Sequence, residues 1–246
     1  MSGKISNTIV TNGLVLCLDA ANIRSYPGTG NTWSDLSINS YNGNLINGPT
    51  FSNTNVGSII FDGTNDYCQL IPDLNAIYDS PPLPALATDN FTIDLWCLPT
   101  QTHQIDGEST SGTGGISGQK YLIRPIYENP PNAGAGISIG TNGVSVYEHS
   151  AGYIPALLVH QTTITRVTNI VVVYTSKRPS LYINSQFARQ GLLSPRTAVT
   201  LRATTVGEGF YGYFGGSCQL VRYYNRSLSA TEILQNYNSS KKRFNL

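Results

Sequence analysis

The strongest constraint on this chain is the shortness of its apolar runs. They recur from end to end, and each is bounded by Gly, Pro, Asn or Asp. Runs too short for ordinary helices, separated by turn-forming residues, are the pattern of strands and tight turns. In the first half the clearest are residues 13–18, 58–61, 67–71, 91–98 and 120–126. The second half supplies 135–139, 143–148, 157–159, 169–174, 180–183, 204–206 and 217–224. About a dozen strands exceed what one flat sheet usually holds, so an all-β fold of two packed antiparallel sheets is expected. Alternation over 91–97 puts Phe91, Ile93, Leu95 and Cys97 on one face and Thr92, Asp94 and Trp96 on the other, predicting one core-facing side. Residues 170–174 are continuously apolar, which predicts a central strand covered on both sides.

One short helix is predicted near the C-terminal end. Ser229-Ala-Thr-Glu232 fits a capping box, and Ile233, Leu234 and Tyr237 follow at helical spacing. Its expected work is to cover apolar surface left by the last strand. Residues 100–119 and 128–136, the latter holding Pro130-Pro131, are polar or Gly/Pro-rich and are expected as surface loops, where binding would vary.

No break in composition marks a boundary, so residues 1–246 are expected to form a single domain. Hydrophobic residues make up 40% of the chain and charged ones only 12%, so neutral polar groups must cover the surface. Fifteen basic against 14 acidic residues give +1, too weak a field to draw polyanions, and nucleic acid is not an expected partner. The basic run Lys241-Lys242-Arg243 reads as a solvated tail. The first ten residues hold no apolar segment of signal-peptide length and nothing later approaches a membrane span, so cytosolic synthesis and no membrane partner are expected. Cys17, Cys68, Cys97 and Cys218 lie in strand-like runs without zinc or redox spacing. They are read as buried reduced thiols, a disulfide between distant strands being the alternative.

Four landmarks occur in order: Phe61-Asp62-Gly63-Thr64-Asn65-Asp66-Tyr67, then Asn90-Phe-Thr-Ile-Asp-Leu-Trp96, then Leu181-Tyr-Ile-Asn184, then Tyr224-Asn225-Arg226-Ser-Leu228-Ser-Ala-Thr-Glu232-Ile. Together they resemble the laminin G-like jelly-roll domains of the concanavalin A-like superfamily. The last is the most specific, because it combines a strand, an Asn-Arg turn and a capped helix in fixed register. The opening, from Asn12 through Trp33 to Ser37, is similar to the start of laminin G-like proteins encoded by tailed phages. That resemblance implies a non-enzymatic virion-surface domain, made in the host cytoplasm, that serves as a capsid decoration or tail- or fibre-associated protein. Its implied partners are other virion proteins in a homo- or hetero-oligomeric assembly, and a host surface glycan. A carbohydrate-binding receptor module is the alternative. Two departures stand out: residues 168–174 lack the family's tryptophan, and Asn184-Ser185 replaces its Asp/Asn-Gly turn.

Hydrolysis of glycosides would need two carboxylates facing across a cleft. The superfamily's Glu-x-Asp-x-x-Glu strand is absent, and Glu108, Glu128, Glu148, Glu208 and Glu232 are scattered. His103, His149 and His160 have no partner at informative spacing and read as surface or turn residues. No cofactor is expected other than calcium, which would use loop carboxylates; Asp19, Asp62 and Asp66 are its candidate ligands, against a reading of turn and cap bonding. For a sugar, an aromatic platform is the usual design. Trp96 reads as buried, Trp33 as either a plug or a platform, and residues 207–216 as a tight turn or a stacking surface. Trp33, Tyr211 and Tyr213 are therefore the candidate ligand-binding residues.

Overall fold

The computed structural model describes residues 8–70, 85–202, 205–209 and 211–244, and these form two sheets packed as a sandwich. The smaller sheet runs in the order Gln186–Gln190, Arg178–Ile183, Thr168–Thr175, Phe91–Pro99 and Gly215–Tyr224. Beyond the last of these, two strands share one edge: Leu14–Asp19 pairs with its second half and Ser58–Asp62 with its first. The larger sheet is built on Ala156–Gln161, Gly143–His149, Ala133–Gly140 and Tyr121–Ile123, and continues through Thr205–Val206, Tyr67–Leu70 and Gly43–Ile46 to Thr32–Trp33. The predicted strand ends at Ile71 and Thr204 lie outside the described residues.

Phe91, Ile93, Leu95, Ile170 and Val172 from the smaller sheet meet Leu122, Ile137, Ile139, Val144 and Val146 from the larger in one core. Each such side chain contributes roughly 1.5–3 kcal/mol on burial. The thiols of all four cysteines are buried and free. Cys97 and Cys218 stand opposite each other on adjacent strands, and burial pushes the Cys218 thiol up to about 12. Asn184 and Ser185 both take positive φ, 50° and 65°, the paired left-handed geometry of a tight hairpin turn even without the usual glycine.

Three sequence expectations change. The second face of Phe91–Pro99 is also buried, because the helix Ala230–Ser240 and the 3₁₀ turn Lys241–Phe244 lie across it. Trp96 stacks on Tyr237 at 5.6 Å and packs on Phe244 at 4.5 Å. Asp94 on that face pairs with Arg222 at 3.3 Å and accepts hydrogen bonds from Asn169 and Asn236. The capping box of Ser229 and Glu232 starts the helix as its sequence dictates. Second, the basic run is not a solvated tail: Arg243 forks onto both oxygens of Asp19 at 2.6 and 2.7 Å, and Lys241 sits over the Tyr237 ring. Third, the strand expected at 135–139 begins at Ala133, so residues 133–136 of the expected loop 128–136 belong to a wholly buried strand. Its alternating small side chains gave it the look of a loop.

Candidate functional site

That strand determines the outer face of the larger sheet. Ala135, Ile137 and Ile139 point into the core, leaving Gly134, Gly136, Ser138 and Gly140 on the outside. With so little side chain there, other segments lie directly on the backbone. A Cβ on Gly136 would come within 2.2 Å of the Pro125 nitrogen, so only glycine lets residues 124–127 settle at this position. Arg124 and Tyr127 are placed by that close approach. At Ser138 the covering group is His103, whose Nδ1 lies 2.9 Å from the hydroxyl.

On the neighbouring strand, Tyr147 faces outward beside Tyr121, the two rings edge to face at 5.6 Å. Their hydroxyls turn into residues 100–119: Tyr121 donates to the Gly115 carbonyl at 2.8 Å and Tyr147 to Asp106 Oδ2 at 2.6 Å. Gln119 donates to the same carboxylate oxygen, and His103 and Asn142 exchange two hydrogen bonds. The expected free loop is therefore a bonded cover. A short hairpin, Glu208–Gly209 with Gly212–Tyr213, docks beside it. A Cβ on Gly212 would stand 1.9 Å from the Gln119 carbonyl oxygen, so glycine is again required.

These placements gather one aromatic face. Tyr211, at the turn of the hairpin, packs against the buried Tyr121 and Tyr147 cluster and meets His149 edge-on at 5.7 Å. His149 in turn meets Tyr127 at 5.4 Å. Tyr127 is 41% exposed, while His149 and Tyr211 are half-buried. Arg124 contacts Glu208 at 3.4 Å beside them, and Tyr67 lies close enough to feel both charges. Burial, with Glu208 adding to it, raises the Tyr67 hydroxyl above its ordinary value. Burial likewise lowers His149 and keeps its ring neutral near pH 7; Arg124 pushes the same way, and the 3.1 Å contact of Nδ1 with the Pro125 carbonyl pushes against it. The face offers ring surfaces, a guanidinium, a carboxylate and hydroxyls. Such a set suits a ligand with alternating C–H and O–H groups.

Of the residues singled out from sequence, Tyr211 belongs to this face, and Tyr213 stands opposite Glu208 in the adjoining hairpin. Trp33 does not: its ring is fully buried in the core between the sheets and is no platform. Asp19, Asp62 and Asp66 do not converge as calcium ligands. Both oxygens of Asp19 are taken by Arg243. Asp62 accepts the backbone N–H groups of Thr64, Asn65 and Asp66, which hold its carboxyl below the ordinary range, and Asp66 accepts from the Asp62 backbone. Among the described residues no three His, Cys, Asp or Glu side chains cluster as a metal site would require. His103, expected at the surface, is buried and pushed down to about 4 by that burial. Sequence reasoning missed Arg124 and Tyr127, and read His149 and Glu208 as scattered.

The glutamates are all engaged. Glu108 pairs with Arg189 at 2.6 Å, Glu128 with Arg202, and Glu232 with Arg226 at 2.6 Å. Glu148 is sealed between the sheets, accepting from Ser194 at 2.5 Å, Tyr153 at 3.2 Å and Tyr174 at 3.3 Å. A groove of about 290 Å³ on the outer side of the smaller sheet, away from the aromatic face, is lined by Ser58, Thr100 and Ser217 around Ile60 and Leu98.

A two-sheet sandwich closed by a capped C-terminal helix is the architecture of lectin-like domains, and the family comparison agrees. Residues 62–234 match a laminin G-like model of the concanavalin A-like lectin/glucanases superfamily, and the chain belongs to that superfamily. None of the curated proteins compared matches it. Among solved structures it is similar to a Trypanosoma rangeli sialidase in complex with sialic acid, at 15% identity and a TM-score of 0.59 over 96% of this chain and 34% of the sialidase. It thus spans about a third of that enzyme. Domain 4 of the extracellular arabinanase AbnA from Geobacillus stearothermophilus, in complex with arabinotriose, aligns at 13% identity and a TM-score of 0.56 over 93% of this chain and all of that domain. The binding domain of botulinum neurotoxin DC in complex with SialylT aligns at 12% identity and a TM-score of 0.60, covering 94% of this chain and 52% of that one. Identities this low show a shared fold.

Proposed function

We propose that this chain is a non-enzymatic glycan-binding sandwich whose sugar platform is the face formed by Tyr127, His149 and Tyr211. The observation that carries the reading is the edge-on trio of rings, partly exposed and flanked by the Arg124–Glu208 pair. Aromatic rings take the apolar faces of sugars while flanking polar groups hold the hydroxyls. A domain of the same fold in complex with arabinotriose supports the ligand class, and so do two longer chains, in complex with sialic acid and with SialylT, that share this fold over part of their length. The absence of the superfamily's Glu-x-Asp-x-x-Glu strand supports binding without hydrolysis, since most glycosidases need one carboxylate to carry a proton and another to attack or activate water.

The setting we infer is the surface of a tailed-phage particle, where the domain contacts other virion proteins and presents the glycan face to a host. The resemblance of the opening segment, residues 12–37, supports it. Binding to a glycan panel tests the platform: Tyr127→Ala and Tyr211→Ala should abolish it, while Phe187→Ala, which removes an exposed ring elsewhere, should leave it intact. Loss in all three, or in none, would contradict the assignment. Gold-conjugated antibody on intact particles tests the setting; absence of particle labelling would overturn it.

A further inference from the structure

The arginine–carboxylate pairs of this chain are unequal. Arg226 grips Glu232 through two contacts at 2.6 and 3.0 Å, Arg243 grips Asp19 through two at 2.6 and 2.7 Å, and Arg202 makes two to Glu128. Arg189 holds Glu108 at 2.6 Å. Arg222 reaches Asp94 at 3.3 Å, and spends a further donor on Ser240 at 3.1 Å beneath the helix. Arg124 stands apart. Among the described residues its one hydrogen bond is a single contact of 3.4 Å to Glu208 Oε2. A guanidinium carries five N–H donors in a planar fork shaped for a carboxylate, so most of the capacity of Arg124 is unspent.

Its position gives that capacity a use. The side chain is 14% exposed, so it has already lost most of its water, and it belongs to the segment that places Tyr127. A carboxylate reaching it would form charge-assisted hydrogen bonds in a medium of reduced dielectric, where they are stronger than in bulk water. Resting on the glycan-binding reading above, we propose that this face selects saccharides that bear a carboxylate, such as uronic or sialic acids. The acid takes the fork of Arg124 beside or in place of Glu208, while the sugar ring lies against Tyr127 and Tyr211. Glu208 then acts as the internal competitor that holds the guanidinium in place until the ligand arrives.

The test is a glycan panel of matched pairs, sialyllactose against lactose and trigalacturonate against its methyl ester among them, read with wild-type protein and two variants of opposite expected sign. Wild type should favour the acidic member of a pair. Arg124→Gln should cut acidic binding on the order of tenfold to a hundredfold, the worth of a charge-assisted hydrogen bond, and neutral binding by less, so that the preference for the acidic member is lost. Glu208→Gln should strengthen acidic binding by removing the competing charge, an increase no misfolded variant would show. Equal binding of acidic and neutral members, unchanged by either variant, would overturn the carboxylate preference and leave the glycan platform standing. Binding to no member of the panel would overturn the platform itself.

Discussion

Both sheets of this sandwich have their outer faces covered, but by opposite means. On the smaller sheet a regular helix lies over Trp96 and a buried polar network, in which Asp94 joins Arg222, Asn169 and Asn236 and Arg222 reaches Ser240, all at 3% exposure or less, while Trp96 Nε1, Asn169 Oδ1 and Arg222 Nε have no hydrogen-bond partner. On the larger sheet irregular chain crosses a strand of glycines, and its edge leaves Tyr127, His149 and Tyr211 partly open. One face is spent on stability. The other holds side chains whose rings and charges are oriented without being sealed, which is what a binding surface requires.

The comparison can be broken most severely at the sealed face. Arg222→Ala strands the Asp94 carboxylate under the helix and should cost about 3–5 kcal/mol in chemical denaturation, because a buried charge loses its counterion. A loss below about 1 kcal/mol would mean that water reaches this network. Glu148 sharpens the contrast, being a buried carboxylate held by hydroxyls with no arginine in hydrogen-bond contact. Burial outweighs those hydrogen bonds and the nearby Arg196, and raises its carboxyl from 4.5 to about 7. The folded state therefore keeps a proton that the unfolded chain has released. Stability should be greatest below pH 4.5 and fall as the pH rises to about 7, by on the order of 3 kcal/mol from this group. Melting curves across that window should lose this slope in Glu148→Gln.

At the open face the expected stability effects are smaller and the binding effects larger. Gly136→Ala drives a methyl group into the Pro125 backbone and should cost about 1–3 kcal/mol while displacing Arg124 and Tyr127, so glycan binding fails at temperatures where the fold survives. Tyr127→Ala should change stability by no more than about 0.5 kcal/mol, since its side chain is partly exposed and lies outside the buried clusters. A large loss of stability there would make the ring part of the core and dissolve the distinction between the two faces.

What was legible in the sequence follows the same division. Residues 91–97 showed their core-facing side by alternation, and the capping box of Ser229 and Glu232 located the helix to the residue. Both are local signals, carried by spacing along one element. Trp96 was read as buried, but that Asp94 would be buried beside it was not legible from the strand alone, because the helix covering them comes more than a hundred residues later. The aromatic face was legible only at Tyr211. Arg124, Tyr127, His149 and Glu208 come from separate segments and have no common period. Their convergence depends on the close approaches at Gly136 and Gly212, which no spacing along the chain reveals.

The central claim is that ligands meet the chain at the aromatic face of the larger sheet. Amide and tyrosine-ring NMR shifts, followed while the tightest glycan of the panel is titrated in, test it most directly. Shifts centred on Arg124, Tyr127, His149 and Tyr211, with the groove around Ile60, Leu98 and Ser217 unmoved, are the predicted result. Shifts centred on that groove, or on the helix-covered face, would contradict it.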